Sequence, residues 1–182
     1  MKKIAIIAAA LVSFGFAANA QVNSAAQQQV NLSLSNAIEI TFTGSGTATG
    51  DPVTMNFTTV NDYANGVESS AQQLQVRSNK DFKVEVKANT ANFSYTGSTT
   101  PSPSMPVSGV LNLMVPTNNT GGTVAGTFGS TYTSLTSLNQ DLITAATKGG
   151  NKTFEVQYKA TPGFAYPAGT YTVDVVYTAT QL

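Results

Sequence analysis

Between Val30 and Phe42 the even positions read Val30, Leu32, Leu34, Asn36, Ile38, Ile40 and Phe42, and the odd ones Asn31, Ser33, Ser35, Ala37, Glu39, Thr41 and Thr43 follow as small or polar partners. Alternation with a period of two is the mark of a β-strand with one buried face. A single strand over this span would extend more than about 40 Å, well beyond ordinary strand length. The polar Asn36 interrupts the apolar face. The pattern therefore predicts two strands that meet near Ser35 and Asn36.

The same period recurs downstream. Val53, Met55 and Phe57 share one side of Val53 to Val60, and "NDYANG" supplies a tight turn at Asn65-Gly66. In "LQVRSNKDFKVEVKA", Leu74 and Val76 precede the turn "SNKD", and Phe82, Val84 and Val86 follow it, which reads as a hairpin with Lys83, Glu85 and Lys87 on a solvated face. Ala91 to Pro106 carries Pro101, Pro103 and Pro106 and reads as an exposed loop. Val107 to Val115 is apolar enough for a strand buried on both faces. Ser137 is placed to cap a short helical turn carrying Leu138, Leu142 and Ile143, with a loop as the alternative. Gly149-Gly150-Asn151 turns into Phe154, Val156 and Tyr158. Pro167-Ala168-Gly169 turns into a last strand with Tyr171, Val173, Val175, Tyr177 and Ala179 on one face. Seven or eight short strands with turn signals between them and little helix predict an all-β fold, a two-layer antiparallel β-sandwich of Ig-like class.

The first residues set the compartment. Met1-Lys2-Lys3, the apolar run Ile4 to Phe16 and the small-x-small site Ala18-Asn19-Ala20 have the form of a secretory signal peptide over residues 1–20. The apolar run is too short to span a bilayer, and no second run is long enough. The expected product is secreted to the periplasm, cell surface or exterior. It comprises an arm or first strand over residues 21–35 and a sandwich domain over residues 36–182.

Composition then removes function classes. Cys, His and Trp are absent, which excludes disulfides, zinc sites built on His or Cys, and Ser-His-Asp or Cys-His nucleophile systems. Without Lys2 and Lys3 there remain seven basic and nine acidic residues, a balance near −2 that gives nucleic acid nothing to bind. The acids form neither a glycosidase pair nor a calcium loop, and "GSGTATGD" lacks the Lys-Ser/Thr ending of a phosphate loop. No catalytic residue, metal or cofactor is expected, and the chain reads as a non-enzyme.

Two binding chemistries stay open. The closing "YPAGTYTVDVVYT", with Pro-x-Gly-Thr-Tyr before an alternating strand, together with "LQVRSNKDFKVEV", resembles secreted bacterial pilin-like proteins, including the spore-coat-protein-U-like group. That resemblance implies an incomplete pilin-like sandwich that lacks its last strand. A neighbour's N-terminal arm would fill the groove, and a periplasmic chaperone would hold it until assembly. Val30, Leu32 and Leu34 have the spacing of an incoming strand, since alternate side chains enter a groove while the backbone pairs its edge. The competing reading pairs Val30 to Leu34 within the chain's own sheet as its first strand. The expected function is a structural or adhesive cell-surface subunit. The alternative is a self-contained binder of polysaccharide through loop aromatics among Tyr63, Phe93, Tyr95, Tyr132, Phe164 and Tyr166, with Tyr95 and Tyr166 as the stacking candidates; the same rings could instead plug the ends of the sandwich.

Overall fold

The computed structural model describes residues 24–182; the expected signal peptide and residues 21–23 of the arm lie outside the described residues. In chain order the strands are β1 (Ile38–Phe42), β2 (Val67–Glu68), β3 (Gln72–Ser78), β4 (Phe82–Ala88), β5 (Ser94–Thr96), β6 (Leu111–Asn118), β7 (Thr123–Val124), β8 (Thr133–Ser134), β9 (Gln140–Ala146), β10 (Gly149–Ala160), β11 (Thr170–Thr172) and β12 (Val175–Gln181). The one helix among the described residues is α1 (Val60–Asn65). The all-β expectation holds: antiparallel sheets pack in layers. One sheet runs β1-β3-β10-β6-β8, with β2 also on β10, and a second runs β12-β4-β9-β7. A two-stranded ribbon joins β11 to β5.

The core is the sum of the inward rows. Leu74 and Val76 of β3, Leu113 of β6, and Phe154 and Val156 of β10 come from one sheet. Phe82, Val84 and Val86 of β4 and Leu142 and Ile143 of β9 come from the other. All are at most 1% exposed. Each such side chain, taken from water, contributes roughly 1.5–3 kcal/mol before the entropy of ordering is subtracted.

Several sequence expectations change. β3 and β4 do not form a hairpin: β3 pairs with β1 and β10, and β4 pairs with β12 and β9. The turn "SNKD" carries the chain from one sheet to the other as an arch, so both alternating rows face the same core from opposite sides. Its bend is held locally, with Ser78 Oγ donating to Lys80 O at 2.6 Å and Lys80 N–H donating back at 3.2 Å. Alternation reports that one face is buried, not which strand lies alongside.

Of the segment expected to form a helical turn or a loop after Ser137, Leu138 lies in a loop, while Leu142 and Ile143 stand in β9, where sheet pairing to β4 overrides a weak helical pattern. "NDYANG" forms more than a turn. Thr59 caps α1, and the Asp62 carboxylate accepts from Thr59 N–H at 2.7 Å and Thr58 N–H at 2.8 Å, closing a capping box. Those backbone donors, Thr59 first, hold the Asp62 carboxyl below its ordinary range. The predicted strand at Val107 begins only at Leu111, after a turn in which Leu111 N–H donates to Val107 O. The closing strand is split at Val173-Asp174, where Asn89 and Asp174 exchange hydrogen bonds, into β11 on β5 and β12 on β4.

Residues 24–37 belong to no strand, so the first of the two predicted strands is missing and the sheet begins at Ile38. No helix among the described residues is long and apolar enough to cross a membrane.

Candidate strand-accepting flank

Burial stops abruptly along one side of the packed layers. In the register of the second sheet, Val175, Tyr177 and Ala179 of β12 stand beside Ala88, Val86 and Val84 of β4. The β4 residues are at most 1% exposed, whereas their β12 neighbours are only half-buried. The first sheet repeats this at β1, where half-buried Ile40 and Phe42 stand beside fully buried Val76 and Leu74. Both sheets thus lose their cover at the same flank, one strand out from the core.

The two edges touch without pairing. Phe42 and Tyr177 meet edge to face with centroids 6.1 Å apart. At the lower end Gln181 Nε2 donates to Ala37 O at 2.9 Å and lies 3.0 Å from Asn79 Oδ1 and 3.1 Å from Ser78 Oγ, clasping the end of β12 to the start of β1. This clasp fixes the separation of the sheets at that end.

After β1 the chain presents another partly covered row at residues 53–57. Val53, Met55 and Phe57 are half-buried and alternate with exposed Thr54 and Asn56, and Val53 and Met55 pack against the core. The segment has the side-chain pattern of a strand, yet among the described residues it pairs with none. β12 likewise has β4 on one side and no strand on the other. Unpaired N–H and C=O groups therefore border a strip of incompletely covered apolar side chains, the two requirements for accepting an added strand.

The three residues proposed for the incoming strand, Val30, Leu32 and Leu34, are 75%, 85% and 90% exposed. Three large aliphatic side chains in alternate positions are left in water. Residues 30–34 belong to no strand. Tyr95 and Tyr166, the candidates for stacking on sugars, both approach Tyr171, at 5.0 Å and 6.4 Å between centroids. Tyr95 is committed to holding loops, since its hydroxyl donates to Ala168 O at 3.0 Å and accepts from Thr99 N–H.

Charge is spread thinly. Lys83 lies 3.2 Å from Glu85 and 3.6 Å from Asp141 on the outer face of the second sheet, and the bond to Glu85 is the main reason its ammonium pKa is raised. Lys159 pairs with Glu68 at 3.0 Å. Among the described residues no three acids, His or Cys come together as metal ligands.

Sequence reasoning missed the contributions of Val53, Met55 and Tyr177 to the flank. Their alternation was visible in the sequence; the lack of a neighbouring strand was not. The chain matches no protein-family model, and no curated protein matches it.

Proposed function

We propose that this protein is a secreted, non-enzymatic subunit of the cell surface, an Ig-like, pilin-like β-sandwich that assembles by accepting a strand from a neighbour. The observation that carries the reading is the flank itself: among the described residues β12 has a partner strand on one side only and the Val53–Phe57 segment has none, while Ile40, Phe42, Val53, Met55, Val175, Tyr177 and Ala179 stay half-buried against the core. An incoming strand would satisfy the backbone edges and cover these side chains in one step.

The donor is the segment of another copy that carries Val30, Leu32 and Leu34. Its alternate spacing suits a groove, and its exposure costs apolar surface until it is covered. Until subunits meet, an exported chaperone that lends a strand would keep the open edge from pairing indiscriminately.

The test is assembly of the secreted protein. Native protein should form oligomers that resist dissociation in SDS without boiling. The double substitution Leu32→Asp and Leu34→Asp should abolish them, and a peptide spanning residues 28–36 should bind the resulting monomer and raise its melting temperature. A native protein that stays monomeric at high concentration, or a peptide without effect on the variant, sinks the proposal.

A further inference from the structure

A second cluster lies away from the sheet edges. Six aromatic rings from four segments make two sets of contacts, Phe57 to Tyr63 at 5.4 Å and Tyr63 to Phe164 at 5.6 Å in one, Tyr95 to Tyr171 at 5.0 Å and Tyr166 to Tyr171 at 6.4 Å in the other, and a single loop carries both Phe164 and Tyr166. They divide into two groups by what holds them.

Tyr95 and Tyr171 form the base. Their hydroxyls donate to the carbonyls of Ala168 and Pro167, and the Tyr95 ring fills the space above Gly97 and Gly169. These two rings fix the loop that runs from Thr161 to Gly169.

Phe164, Tyr63 and Tyr166 serve no such purpose. Phe164 follows Gly163, whose φ of +63° turns the loop outward, and is 67% exposed. Its ring lies nearly parallel to Tyr63, at 23°, so Tyr63 backs one face and leaves the other toward solvent. Phe57 in turn supports Tyr63. Among the described residues the hydroxyls of Tyr63 and Tyr166 have no hydrogen-bond partner; Tyr63 stacks on Phe164, and Tyr166, two residues along the same loop, rests on Tyr171. The platform is therefore an exposed ring backed by a second ring, with phenol hydroxyls that the fold does not use.

From this geometry we infer a binding site for a neutral polysaccharide, with Phe164 as the stacking face, Tyr63 as its support and the Tyr63 and Tyr166 hydroxyls as partners for sugar hydroxyls. A pyranose ring offers an apolar C–H face to an aromatic plane and hydroxyls around its edge, which is the complement of this surface. An acidic polymer would form no ion pair with the inferred contacts, which are an aromatic face and phenol hydroxyls. This site is independent of strand addition: it uses none of the residues of the unpaired flank except Phe57, which only supports Tyr63.

The experiment is retention of the full secreted protein on insoluble neutral glucan and mannan, with alginate as the acidic comparison. Native protein should be retained on at least one neutral polymer and pass through alginate. Phe164→Ala should weaken retention about tenfold, the upper range of one stacking contact, with an unchanged circular dichroism spectrum and unchanged SDS-resistant oligomers. Tyr166→Phe, which keeps the ring and removes the hydroxyl, should give a smaller loss. The inference is overturned if no neutral polymer retains the native protein, if Phe164→Ala binds as well as native, or if alginate is retained equally. Loss of oligomers in Phe164→Ala, with glycan retention intact, would assign the cluster to subunit contact and also overturn it.

Discussion

The hydroxyls of Tyr158 and Tyr177 stand 2.7 Å apart, joining β10 of one sheet to β12 of the other. Tyr158 is buried, and the Tyr177 ring also packs edge to face on Phe154. In a chain without disulfides this polar bond ties the last strand to the opposite layer.

Removing one hydroxyl strands the other. Tyr177→Phe should cost about 1–3 kcal/mol, the penalty for a buried polar group left without a partner. The double variant Tyr158→Phe and Tyr177→Phe should cost less than the sum of the single changes, because it leaves no orphan. Urea unfolding of the four proteins checks this, and strict additivity would show that the two hydroxyls are energetically independent.

The same pair predicts an alkaline limit. Burial pushes the Tyr158 hydroxyl up to about 12 and Tyr177 well above its ordinary value of 10.0; burial, followed by the neighbouring Glu68, pushes Tyr132 up to about 12. A group whose pKa rises on folding keeps its proton longer in the folded state. Its stabilising contribution is therefore complete below the unfolded pKa and is lost as pH climbs through the folded one. The melting temperature should lose these tyrosine contributions progressively as pH rises from about 10 to 12, and Tyr177→Phe should flatten that fall. Thermal melts across this range, with phenolate absorbance as the titration signal, provide the measurement.

Two isoleucines separate the core from the unpaired flank. Ile143 is fully buried, whereas Ile40 is half-buried at the β1 edge. Ile143→Ala should cost about 2–5 kcal/mol, the usual range for a buried truncation, and Ile40→Ala distinctly less in the isolated monomer. With a saturating peptide of residues 28–36 the two costs should converge, because the added strand would bury Ile40. Denaturant midpoints with and without peptide give the comparison; an equal cost for both residues in the free monomer would mean that the flank is already covered.

The strands were legible where burial on one face imposes a period of two. Phe154-Val156-Tyr158 and Phe82-Val84-Val86 stand in strands where their alternation placed them. Partnership was not legible, because a residue's pattern records that it faces a core and leaves the adjacent strand unspecified. That is why Leu74 and Phe82 look like two arms of a hairpin and belong to different sheets. The flank escaped for the same reason: Val53-Met55-Phe57 reads as an ordinary strand, and its lack of a partner depends on residues more than a hundred positions away. Among the aromatics, Tyr95 and Tyr166 both read as loop rings, whereas Tyr95 stands in β5 opposite Tyr171 and bonds Ala168 O, which separates it from Tyr166 in the loop.

The arch at Ser78 to Asp81 has a kinetic consequence. Because β3 and β4 cannot zip to each other, Leu74 must await Phe154, 80 residues on, and Phe82 must await Gln181, 99 residues on. Such distant pairings make folding slow and postpone it until the whole polypeptide has emerged. Each newly made molecule then passes through an interval in which its apolar rows are available to other chains, so crowding during folding, more than the stability of the finished fold, would set the yield.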